Sequence, residues 1–182
     1  VSSSKITWEA WAKSSDTLYD IVVQSTSNTF PEMNLAYSDP SFLVYYHNGT
    51  DATNILSYSS TVGSSNAWYH IAVVRDDTDS NGVNDETTIY LNGSSTGVTD
   101  RNATDVFPNV AGTMSLGGWV AATSQRLNGV LDEVRISTTG TARTASWIRS
   151  QYKSMSGTFN TLGAETQNTA TYATSSTFTS QI

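Results

Sequence analysis

The segment Lys5–Lys13, KITWEAWAK, alternates without a break. Ile6, Trp8, Ala10 and Ala12 fall on one side of an extended chain, and Thr7, Glu9, Trp11 and Lys13 fall on the other. A period of two is the mark of a β-strand with one face in a core. Similar short runs follow at Leu18–Gln24, Met33–Tyr37, Phe42–His47, Ile55–Ser59, Trp68–Arg75, Thr87–Leu91, Thr113–Leu116 and Val130–Ile136. Trp68–Arg75 (WYHIAVVR) is the strongest of them. Thr87–Leu91 runs into Asn92-Gly93, the best short signal for a hairpin turn. Many short strands separated by regular turn signals imply an all-β fold, an antiparallel two-sheet sandwich.

One segment reads as a helix. Thr144 is placed to cap Ala145–Met155, and Trp147/Gln151 and Ile148/Tyr152 are i,i+4 pairs on one side. A helix this short is marginal alone, so packing on the sandwich must hold it.

Composition agrees. The 182 residues suit one domain, or one domain and a tail. Only 14% of residues are charged, and 27 Ser and 27 Thr supply the missing polarity. The formal net charge of -7 argues against non-specific binding to nucleic acid or anionic membranes, which needs clustered Lys and Arg. The sequence contains no apolar run of the ~18 residues a membrane helix requires, so membrane insertion is not expected. With no cysteine, disulfides, thiol catalysis and thiolate metal sites are excluded; with two His, so is a three-His zinc site. Low charge with abundant Ser and Thr suggests a prokaryotic extracellular or cell-surface protein. A start at Val1 is consistent with a processed mature protein or an excised fragment.

Residues 76–86, DDTDSNGVNDE, hold five of the sixteen acids. Asp77, Asp79 and Asn81 are spaced i, i+2, i+4, and Gly82 permits a sharp turn. This is how a calcium loop begins: alternate side chains supply oxygens, and the Val83 carbonyl can add another. Asp85 or Glu86 would close the site, because the twelfth position is Thr88 rather than a bidentate Glu. Such a site would stiffen a β-connection and perform no chemistry. The competing reading is a solvated acidic hairpin loop.

Catalytic arrangements are weak. Asp132-Glu133 is the most suggestive acid pair, but neighbours on a regular strand point to opposite faces and cannot act together. His70, inside the strongest strand, reads as a hydrogen-bonded structural histidine, and His47 as a strand-end or loop residue. No enzymatic activity is expected. Trp11 is a candidate for stacking on a sugar or on a neighbouring subunit, with cover beneath a loop as the alternative. Trp119, after Gly117-Gly118, is a second ligand or interface candidate, while Trp8, Trp68 and Trp147 are assigned to the core. Asn48, Asn92 and Asn102 each begin an N-x-S/T pattern, which arises often by chance in so hydroxyl-rich a chain.

The order ITWEAWAK, WYHIAVVRD, TIYLNG, LGG, LNGVLDEVRIS, ARTASWIRSQY, FNTLGAE resembles a laminin-G-like, concanavalin A-like jelly-roll domain of prokaryotic surface proteins, over roughly Lys5–Glu165. The resemblance implies two packed antiparallel sheets, and carbohydrate binding, adhesion or architecture, often with calcium. Family members carry a further strand before the ITWEAW-like one, and here only Val1–Ser4 precede it. Residues 166–182 offer a substitute, since Tyr172 and Thr174, and then Phe178, Ser180 and Ile182, alternate with their neighbours. This tail would complete its own sandwich or that of the next subunit. The leading expectation is therefore a domain over residues 1–165 and a C-terminal donor strand marked by Tyr172, Phe178 and Ile182. Copies of the chain would then join head to tail into a calcium-stabilised extracellular filament or layer. The alternative is a calcium-dependent carbohydrate-binding or adhesion module with glycans as partners.

Overall fold

The computed structural model describes residues 5–25, 33–38, 41–47, 54–59, 66–76, 87–96, 98–100, 112–119, 125–138 and 141–157. In chain order these form β1 (Lys5–Ser14), β2 (Leu18–Ser25), β3 (Met33–Ser38), β4 (Ser41–His47), β5 (Asn54–Ser59), β6 (Tyr69–Asp76), β7 (Thr87–Leu91), β8 (Ser94–Ser95), β9 (Val98–Asp100), β10 (Thr113–Leu116), β11 (Gly129–Ser137) and the helix α1 (Ala145–Met155). One sheet has the order β11-β1-β6-β7-β8 and the other β10-β2-β3-β4-β5-β9. All pairings are antiparallel. This is the two-sheet antiparallel sandwich that the alternating runs imply, and the jelly roll that the resemblance implies. Every expected strand is present, its ends moved by at most two residues. The short strands β8 and β9 carry too few residues to show a period.

The alternation of β1 is what places the core. Ile6, Trp8, Ala10 and Ala12 face Tyr19, Ile21, Leu35, Tyr37, Phe42 and Val44 of the other sheet, with Ile71, Val73, Ile89 and Leu91 beside them. A run of aromatic rings crosses this core. Tyr19 stacks on Tyr37 at 5.1 Å, Tyr37 meets Phe42 at 4.9 Å, and Phe42 meets the edge of Tyr69 at 5.6 Å. Each such pair adds about 0.5–1.5 kcal/mol beyond the area it buries.

The other face of β1 is covered too. Helix α1 lies on the outside of the first sheet, where Ile148 joins Ala72, Val74 and Tyr90 in a second cluster flanked by Ala142 and Trp147. Full burial of one such aliphatic side chain is worth about 1.5–3 kcal/mol, which is what an 11-residue helix needs to persist. Thr144 caps it as expected: the Trp147 N–H donates to Thr144 Oγ1 at 3.3 Å. Trp147, expected in the core, packs against this second cluster on the outer face rather than between the sheets. The Arg143 guanidinium lies 4.6 Å from the centre of its ring.

Two local devices position the outer face. Asn92 and Gly93 turn β7 into β8 with φ of 50° and 76°, and Asn92 Oδ1 accepts the His70 N–H at 3.0 Å. A β-bulge interrupts the β1–β11 ladder between Glu9 and Trp11. Glu9 pairs with Arg135 and Trp11 with Asp132, so β11 carries one residue more than β1 across this step. Glu133 takes up the excess in the left-handed region, at φ 51°.

Candidate functional site

The bulge overturns the expectation that Asp132 and Glu133 face opposite ways. Strict alternation fails where one residue is inserted, and both side chains line a single cavity with Trp11, Trp68, Asn92, Tyr152, Met155 and Ser156. The cavity measures about 480 Å³ and lies between the outer face of the first sheet and the C-terminal half of α1. Glu133 also contacts Arg135 Nη2. Asp132 Oδ1 accepts the Glu133 N–H at 2.8 Å.

Three aromatic residues shape this cavity. Trp11 stacks on Tyr152 at 5.8 Å with an interplanar angle of 23°, so its cover is a helix rather than a loop, and it still lines the opening. Trp68 is not a core residue. It is 42% exposed, because Tyr69, Ile71 and Val73 take the inward places and Trp68 falls in the alternate set with His70, Ala72 and Val74. No ring contact involves Trp68 among the described residues.

Beneath the cavity lies a buried polar group. Glu9 is 1% exposed, and its Oε1 accepts from Arg135 Nη1 at 2.8 Å. The same Arg135 Nη1 donates to Gln151 Oε1 of α1 at 2.7 Å. Burial raises the Glu9 pKa, opposed by the hydrogen bond and charge of Arg135. His70 is buried as expected, but neither ring nitrogen has a hydrogen-bond partner. Its neighbours are the rings of Trp11 at 5.4 Å and Tyr152 at 6.0 Å, and Glu9 Oε2 at 3.9 Å is too far to accept a bond. Burial, helped by the Arg135 charge, lowers its pKa to about 4, so His70 is neutral at physiological pH. A smaller cavity of about 220 Å³ adjoins Glu9, Arg135, Arg143 and Trp147.

The outward face of the second sheet carries a different polar pair. Asn34 Nδ2 donates to Asp20 Oδ1 at 2.7 Å, and both residues are buried. Burial raises the Asp20 pKa, against the Asn34 bond and a backbone bond from Trp119. Trp119 is half-buried beside this pair and does not line the cavity of Trp11. The two tryptophan candidates therefore do not form one site.

The calcium-loop residues Asp77, Asp79, Asn81, Val83, Asp85 and Glu86 lie outside the described residues, as do the donor-strand residues Tyr172, Phe178 and Ile182. Among the described residues no cluster of three or more His, Asp or Glu is arranged to hold a metal ion. Also among them, no helix is long and apolar enough to cross a membrane. Sequence reasoning passed over Trp68, Asn92 and Tyr152 as site residues. The one signal for them was Trp11 on the non-core side of β1, which requires something to cover it.

The sequence matches the family model for the concanavalin A-like lectin/glucanases superfamily, of laminin G type, over residues 1–149, and the chain belongs to that superfamily. Among solved structures it is similar to the native heptameric SAP-like pentraxin of Limulus polyphemus, with a TM-score of 0.60 at 17% identity over 83% of this chain and 70% of that one. It is also similar to a Bacteroides ovatus protein assigned as carbohydrate-binding, with a TM-score of 0.56 at 21% identity over 82% of this chain. The chain spans 41% of the length of that protein. At these identities the likeness is one of fold. No curated protein matches the sequence.

Proposed function

We propose that the chain is a non-enzymatic carbohydrate-binding module of an extracellular or cell-surface protein, and that its sugar site is the cavity between β11, the start of β6 and α1. The observation that carries this is Trp68, a large ring 42% exposed at a cavity whose other wall is the Trp11–Tyr152 stack. Sugar rings present apolar C–H faces and a rim of hydroxyls. Aromatic faces with a few fixed polar groups suit that surface, and here Asn92 and Asp132 supply them. The superfamily and the Bacteroides ovatus fold relative support the same reading. The test is a glycan array. Hits that vanish with Trp68→Ala and persist with Trp119→Ala are expected. An array without hits, or hits insensitive to Trp68→Ala, contradicts it.

Calcium at Asp77, Asp79, Asn81, Val83, Asp85 and Glu86 belongs to this proposal as a stiffener of the β6–β7 connection. Its check is a chelator: a melting temperature that falls on chelation supports it, and an unchanged one contradicts it.

A second reading keeps the chain as a subunit that polymerises through residues 166–182, outside a domain of residues 1–165. The edge strands β10 and β11 favour it. Among the described residues they end their two sheets, Gly117 lies beside Leu131, and each strand exposes a large apolar residue, Leu116 at 54% and Val130 at 53%. Edges of this kind invite another strand. Deleting residues 166–182 should abolish polymers; a truncated chain that still polymerises contradicts strand donation.

A further inference from the structure

The polar groups around the cavity differ in what they still have to offer. The Arg135 guanidinium is engaged through both terminal nitrogens: Nη1 with Glu9 and Gln151, Nη2 with Glu133 and Met155 Sδ. Asn92 Oδ1 is taken by the His70 N–H, which leaves its amide N–H group as a donor. Asp132 accepts the Glu133 N–H through Oδ1 and forms no ion pair among the described residues. Glu9 and Glu133 both pair with Arg135, Asp132 lines the cavity beside Glu133, and the buried His70 is neutral. The charged residues that line the cavity, Asp132 and Glu133, are both acidic.

A ligand entering this site meets an aromatic face at Trp68, one amide donor and one unpaired carboxylate. Acidic sugars are repelled. A neutral sugar hydroxyl and an ammonium group both donate to the Asp132 carboxylate. Only the ammonium adds an opposite charge to that bond, and it gains further from the π face of a neighbouring tryptophan. We propose that the cavity selects saccharides bearing a free amino group over their N-acetylated and neutral counterparts, with Asp132 as the residue that reads the amine. This deepens the carbohydrate reading above and rests on it.

The test uses three β-1,4-linked hexamers that differ only at C2: the glucosamine, N-acetylglucosamine and glucose oligomers. Binding is measured by calorimetry at pH 6, alongside an array carrying amine-bearing, N-acetylated and neutral glycans of several linkages. An exposed charge pair is worth up to about 1 kcal/mol, so the amine-bearing glycan should bind about fivefold more tightly than its neutral partner, and added salt should narrow the gap. Asp132→Asn should erase the preference, weakening the amine-bearing glycan more than the neutral ones. The Asn side-chain carbonyl still accepts the Glu133 N–H, so an unchanged melting temperature confirms that the fold survives. Neutral or N-acetylated glycans binding as well as the amines, or a preference that survives Asp132→Asn, overturns this inference and leaves the carbohydrate reading standing. An array without any hit overturns both.

Discussion

Arg135 on β11 reaches across the sheet to place Nη1 2.8 Å from Oε1 of Glu9 on β1, 126 residues away in sequence. The carboxylate is enclosed while the guanidinium is 39% exposed, so the two partners are not equivalent. Removing the arginine strands a buried charge, which typically costs 3–5 kcal/mol; water reaching this site reduces that to about 2–4 kcal/mol for Arg135→Met. Glu9→Gln should cost less, about 1–2 kcal/mol, because no charge is left buried. The double variant should lose less than the sum of the two, and chemical denaturation of all four proteins measures the coupling.

His70 gives the stability a pH dependence whose sign is fixed by its burial. Its pKa falls from 6.5 to about 4 on folding, so between these values the unfolded chain holds more protons. Stability is then full above about pH 6.5 and declines toward pH 4, by about 3 kcal/mol for this group. Glu9, with its raised pKa, acts in the opposite direction, since its protonated form is favoured in the fold. Comparison with His70→Leu separates the two. The variant should equal or exceed the wild type at pH 7, because the histidine's ring nitrogens are buried without partners. It should also lose less stability than the wild type on acidification. Equal acid sensitivity of both proteins contradicts this account.

Gly129 opens β11 directly against β1. A Cβ there would stand 2.1 Å from the Lys13 carbonyl oxygen and 3.0 Å from Ser14 Cα, both backbone atoms that cannot swing aside. Gly129→Ala should therefore force the end of β11 away from β1 and destabilise the protein by about 2–3 kcal/mol. A loss under 0.5 kcal/mol in thermal or denaturant unfolding contradicts the close approach.

The sandwich was legible wherever one side chain in two meets the core. KITWEAWAK assigned both faces of β1 correctly, and Ala145–Met155 with its Thr144 cap was readable to the residue because caps and i,i+4 pairs are local. The cavity was not legible. Asp132 and Glu133 share it only through a bulge centred on a glutamate at positive φ, a conformation that nothing in the residue type announces. Trp68 was misplaced because its size was weighed above its place in the alternation, which puts it in the outward set with His70, Ala72 and Val74 of β6. The Glu9–Arg135 pair was invisible because it joins β1 to a strand formed more than a hundred residues later. Asp20 and Asn34 were passed over because isolated polar residues in strands carry no spacing signal.

The central claim is that a sugar docks against Trp68. Indole N–H resonances of the five tryptophans, assigned by substitution and followed while a glycan chosen from array hits is titrated in, test it most directly. The signals of Trp68 and Trp11 should shift together and saturate, while Trp8, enclosed between the sheets, stays still. Shifts confined to Trp119, or a saturating ligand that leaves Trp68 unmoved, would place the site elsewhere on the sandwich and contradict the account.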